Sequence, residues 1–81
     1  MKGGYIMTHN DYIKMRLESI LEEMSHVTAE NLNEISTYDV YRWRGVAHEY
    51  YMLTKRVSTR LHTLAKEAYS KAVAIDEERD Y

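Results

Sequence analysis

One pattern constrains this chain more than any other. From Val40 onward a small or apolar residue returns every seven positions, at Val40, Ala47, Thr54, Leu61, Ala68 and Ile75. Trp43, Tyr50, Val57 and Leu64 fill the places three residues after the first four of these. A repeat of this kind puts its members on one stripe of an α-helix, and the stripe has to be buried against other helices. The next interleaved place holds Lys71, the one break in the pattern. Val46, Tyr51, Leu53, Ala65 and Ala72 flank the seam and widen it to the breadth of a bundle face.

Little in the rest of the chain opposes helix formation. There is no proline, and of three glycines two stand in the leading Gly3-Gly4 pair. Thr8-His9-Asn10-Asp11 reads as a helix start, with Asn10 the expected cap and Asp11 favourable in the first turn. Ile13, Leu17, Ile20, Met24 and Val27 then recur at spacings of four and three, with Leu21 beside them, which predicts a first helix over about residues 11–27. Leu32 and Ile35 fall one position out of phase with that stripe, so the helix is expected to break. Thr28 can cap a short helix there, and Ser36 or Thr37 begins the second long one.

The fold class expected is all-α: a helical hairpin with a short first helix and a long heptad-patterned second helix, assembling into a homo-oligomeric bundle. The reason is length. A second helix of about forty residues spans roughly 60 Å and the first only about 25 Å. Val57, Leu61, Leu64, Ala68 and Ile75 would then lack an intramolecular partner, and they are the expected oligomer interface. The competing architecture bends the chain at Val57-Ser58-Thr59-Arg60, where β-branched and hydroxyl side chains weaken the helix, and yields a monomeric three-helix bundle. The unbroken heptad phase across these residues favours the continuous helix.

At 81 residues there is room for one domain. It is expected over residues 8–78, after a tail at 1–7 that contributes little and before a frayed end at 79–81. Negative charge from Asp76 to Asp80 opposes the helix dipole there. Met7 is a candidate alternative start, of the kind found in a bacterial or phage gene. The chain has no cysteine, which removes disulfides, thiol nucleophiles and cysteine zinc sites and suits the cytoplasm. No apolar run is long enough to span a bilayer, so no membrane partner is expected. The net charge of -2 conceals an uneven distribution. Residues 41–66 carry six basic side chains and one acidic, between acidic flanks.

Few residues suggest chemistry. Glu23 and His26 match one half of a di-metal Glu-x-x-His motif, but no second half exists, and solvent-facing side chains are the ordinary reading. Tyr41, His48, Lys55, His62 and Tyr69 stand seven apart beside the seam, as a ligand-facing row or as the half-exposed border of a bundle. Within residues 38–66, Tyr41, Arg42, Arg44, Tyr51, Lys55, Arg56 and Arg60 combine cations with rings, as stacking and phosphate neutralisation require. Glu18, Glu22 and Glu23 on the first helix are available counter-charges. Eight tyrosines and no phenylalanine suit a surface that is wet in the free chain and dry in a complex. No glycine-rich loop or nucleophile arrangement is present, and no catalytic residue, metal or cofactor is expected. The expectation is a non-enzymatic, homo-oligomeric helical binding protein, an adaptor, inhibitor or sequestering accessory protein whose partners are itself and another protein. The alternative is a nucleotide or nucleic-acid binder using the basic aromatic segment.

Overall fold

The computed structural model describes residues 8–79, which form three α-helices and one 3-10 turn and, among the described residues, no strand. The expectations for the leading tail and for Asp80 and Tyr81 lie outside the described residues. Helix α1 (His9–Met24) starts two residues earlier than Asn10 as its cap would require. Thr8 is the cap: its hydroxyl accepts from the Asp11 amide at 3.1 Å, and the Asp11 carboxylate accepts from the Thr8 amide at 3.3 Å. This reciprocal pair satisfies two donors that the first turn leaves unpaired. The apolar stripe is as expected up to the end of the helix, with Ile13, Leu17, Ile20 and Met24 buried.

The connection from α1 is held by its own polar side chains. Thr28 and Asn31 bond reciprocally, amide to Oδ1 at 2.8 Å and amide to Oγ1 at 3.2 Å, and the Asn31 side chain also donates to the His26 carbonyl at 3.0 Å. A single 3-10 turn, Leu32–Glu34, follows, and Leu32 and Ile35 are half-buried. Ser36 then caps α2 (Thr37–Thr54) by accepting from the Asp39 amide at 3.0 Å.

The continuous second helix is corrected at this point. Helix α2 ends at Thr54, and α3 (Thr59–Glu78) begins after a four-residue turn at Lys55–Ser58. Ser58 marks the break. The Thr54 hydroxyl donates back to the Tyr50 carbonyl at 2.7 Å, but the Thr63 hydroxyl makes the same bond to Thr59 at 2.9 Å inside the intact α3, so such a bond does not by itself end a helix. Ser58 is extended, with φ -156° and ψ 120°, and its hydroxyl accepts from the Leu61 amide at 3.2 Å, so it caps a new helix instead of continuing the old one. The three helices have 16, 18 and 20 residues, roughly 24, 27 and 30 Å. The length mismatch that called for another chain is therefore absent, because α3 folds back and covers α2.

After the turn the buried register changes. The core residues of α3 are Leu61, Ala65, Ala68 and Ala72, so the interleaved place moves from Leu64 to Ala65 and from Lys71 to Ala72. Lys71 is exposed. Ala47, Ala65, Ala68 and Ala72 have no exposed surface, and such small side chains permit close approach of the helices; α2 and α3 form the most extensive pairing among the described residues. Helix α1 lies along one face of this hairpin. Its Glu23 reaches across to α2, pairing with Arg42 and accepting from the Trp43 indole N–H at 2.8 Å. The molecule is flat, 48 × 30 × 17 Å. Its other broad face, on the side of the hairpin away from α1, is built from α2 and α3 alone.

Candidate functional site

The face of the hairpin opposite α1 carries a row of rings. Tyr51 of α2 sits between His62 and Tyr69 of α3, with ring centroids 4.6 Å and 5.8 Å away and planes within 22° and 18° of parallel. His48, one turn before Tyr51, also meets Tyr69, at 5.4 Å and tilted by 52°. Helix geometry explains the order: His62 and Tyr69 are two turns apart on α3, about 10.5 Å, which leaves room for one ring between them. Contacts of this kind contribute about 0.5–1.5 kcal/mol each beyond the area they bury. At the turn end of the row the buried Thr54 hydroxyl lies 3.4 Å from His62 Nδ1.

Beyond His48 the row opens into a cleft of about 460 Å³ lined by Tyr41, Arg44, Gly45, His48 and Tyr69. Arg44 is paired with Asp76 of α3, whose side chain is only 12% exposed. That bond, and secondarily the Tyr69 hydroxyl, raise the guanidinium pKa above its ordinary value. The pairing leaves little net charge at the cleft. Asp76 lies within the last turn of α3, which ends at Glu78, and Arg79 donates to the Ile35 carbonyl.

The seven residues expected to contact a ligand are dispersed. Tyr41, Arg44 and Tyr51 share the aromatic face with His48, His62 and Tyr69, and all six belong to the heptad row or to the basic aromatic segment that the sequence singles out. Arg42 points to the α1 side, where Glu23 and Asp39 hold it and raise its pKa, Glu23 being the larger cause. Lys55 and Arg56 stand exposed in the turn, and Arg60 borders a different cleft with Lys14, Glu18, Leu64 and Glu67. The expected oligomer interface is likewise divided. Leu61 and Ala68 are buried inside the chain, Leu64 and Ile75 are half-buried beside α1, and Val57 projects from the turn at 62% exposure.

Comparison with protein-family models, curated proteins and solved structures finds no match to this chain. Its side-chain chemistry has to speak for it.

Glu23 and His26, the half-motif, diverge. Glu23 turns into the α1/α2 seam, where hydrogen bonds from Arg42 and then Trp43 lower its pKa, while His26 lies 3.3 Å from Glu22 on the exposed surface. Among the described residues no three histidine or carboxylate side chains converge as metal ligands. Two members of the aromatic face were missed from sequence. Gly45 was visible as the one glycine outside the leading pair, and Asp76 stood among acidic residues expected at a frayed end. Only the hairpin turn brings Asp76 back to Arg44, so no local signal marks that pair.

Proposed function

We propose that this chain is a non-enzymatic helical binding protein whose partner is another protein, and that it binds through the α2/α3 face away from α1. The observation that carries this reading is the packed row His62, Tyr51, Tyr69 and His48, continued by exposed Tyr41 and Met52. Tyrosine, methionine and arginine are among the residues enriched at protein interfaces: tyrosine and arginine present apolar area with a polar tip that tolerates water, and methionine is a flexible, polarizable side chain that adapts to a partner's surface. Rings already stacked within the chain are preorganised, which lowers the ordering cost of binding.

The nucleotide or nucleic-acid reading draws less support. It needs accessible cations beside the rings, and Arg44, which lines the cleft, is already paired with Asp76, while Arg42 is held on the α1 side by Glu23 and Asp39. Self-association also loses its original basis, since Leu61 and Ala68 are covered intramolecularly. It stays as an outcome to be measured.

The test is position-specific photo-crosslinking in the native host, with the reactive side chain at Met52 on the aromatic face or at the exposed Glu30 in the connection. A discrete adduct to another protein from position 52, absent from position 30 and weakened by Tyr51→Ala, supports the reading. An adduct of twice the chain's own mass transfers the face to self-association. Equal labelling from both positions removes the face from consideration.

A further inference from the structure

Gly45 occupies the middle of α2, where glycine is the least favourable residue after proline. Nothing inside the molecule asks for it. Among the described residues no glycine has positive φ, and a Cβ added at Gly45 would meet no atom within 4 Å beyond its immediate helical surroundings. The missing side chain instead opens the cleft between Tyr41, Arg44, His48 and Tyr69 and bares the helix backbone as its floor.

Three side chains of that cleft have partners within the chain, while Tyr41 stands exposed at its rim. Tyr69 meets Tyr51 and His48, and Arg44 is held by the largely buried Asp76. Because Asp76 already pairs with Arg44, the cleft offers flat π surfaces and a paired guanidinium plane, and an anion gains less there than at a free arginine. The occupant that fits is flat and uncharged. The cleft is also an open depression, whereas a pocket for a free small molecule encloses most of its ligand. A ring delivered on a larger surface, which itself covers the rim, suits this shape, and tryptophan and tyrosine side chains seated in such depressions dominate many protein interfaces.

From these observations we infer that the cleft over Gly45 receives one uncharged aromatic side chain, a tryptophan or tyrosine, from the protein partner. The inference rests on the protein-binding reading above and specifies the residue class at its centre. Tyr41 and His48 flank the incoming ring along α2, Tyr69 closes the α3 side, and the absent Cβ lets the ring lie against the helix.

The test uses the full chain and N-acetyl-tryptophanamide as the probe, followed by NMR. Saturable shifts confined to the Gly45 amide and the Tyr41, His48 and Tyr69 rings are expected, with N-acetyl-leucinamide and phenyl phosphate both binding more weakly. Gly45→Leu fills the cleft and should weaken the probe by more than roughly tenfold. Its melting temperature should be no lower than the parent's, since the added side chain projects into open space. Three results overturn the inference: shifts scattered over the surface, unchanged probe affinity in Gly45→Leu, or phenyl phosphate binding more tightly than the uncharged amide. A loss of helicity in Gly45→Ala would also overturn it, by showing that the fold itself needs the glycine. The two readings can fail separately. If position 52 crosslinks a partner but the tryptophan probe does not bind, the ring-seat inference falls and protein binding stands. If the probe binds and no partner crosslinks, the protein source of the ring is refuted.

Discussion

Replacing Ser58 with alanine separates the two architectures by the sign of its effect. In the structure Ser58 is extended and caps α3, its hydroxyl accepting from the Leu61 amide at 3.2 Å in a part-buried setting. Loss of such a cap costs about 0.5–2 kcal/mol. Water replaces the lost acceptor only in part where the amide is partly covered, so the upper half of that range, about 1–2 kcal/mol, is expected. For a domain of this size about 1 kcal/mol moves the melting temperature by roughly 4–8 °C, so Ser58→Ala should melt clearly below the parent. A continuous helix through residues 55–58 predicts the opposite. Alanine is the better helix former, and the same change there would stabilise by about 0.5 kcal/mol. Ser58→Asp keeps an acceptor, places negative charge at a helix N-terminus, and should melt near the parent. The assay is thermal and urea unfolding followed by circular dichroism at several protein concentrations. A higher melting temperature for Ser58→Ala would refute the turn and restore the long helix.

Four further outcomes are expected. Leu17 has no exposed surface at the centre of the α1 stripe, so Leu17→Ala should cost about 2–5 kcal/mol in urea unfolding. Ala68 is equally buried in the close α2/α3 contact, so Ala68→Leu should destabilise by about 1–3 kcal/mol through overpacking, whereas a gain would show that the contact is looser than the structure has it. Gly45→Ala should stabilise by roughly 0.5–1 kcal/mol in the same assay, because it removes unfolded-chain entropy without a clash. Glu23 has a native pKa held below its ordinary value, first by Arg42 and then by Trp43. A lowered carboxylate pKa adds stability that is present above the unfolded value and lost as pH falls through the native one. Parent and Glu23→Gln should therefore differ in melting temperature at neutral pH and converge as the solution is acidified through that lowered value; a gap independent of pH would remove the ionised pair from the account.

Helix type, the buried stripe of α1, the core positions of α2 and the start of α2 at Ser36 or Thr37 were all legible in the residue order, because each depends on groups within a turn or two of one another. Ile13, Leu17, Ile20 and Met24 had to share a face whatever lay opposite them, and so did Val40, Trp43, Ala47 and Tyr50. The direction of the chain after Thr54 was not legible in the same way. A heptad stripe asks only to be buried, and another copy or the chain's own α3 answers equally well, so the unbroken phase could not distinguish an extended helix from a hairpin. The turn is marked by extended Ser58, whose hydroxyl caps α3, and the buried register beyond it falls on Ala65 and Ala72, with Lys71 left outside. The aromatic face was half visible, as tyrosines and histidines at spacings of seven. Its stacking became real only when His62 and Tyr69 returned antiparallel to His48 and Tyr51. The fate of each arginine was the least legible feature, because Glu23 is 19 residues from Arg42 and Asp76 is 32 residues from Arg44. Charge pairing across such separations depends on which helix faces meet, and that is a property of the packed hairpin alone.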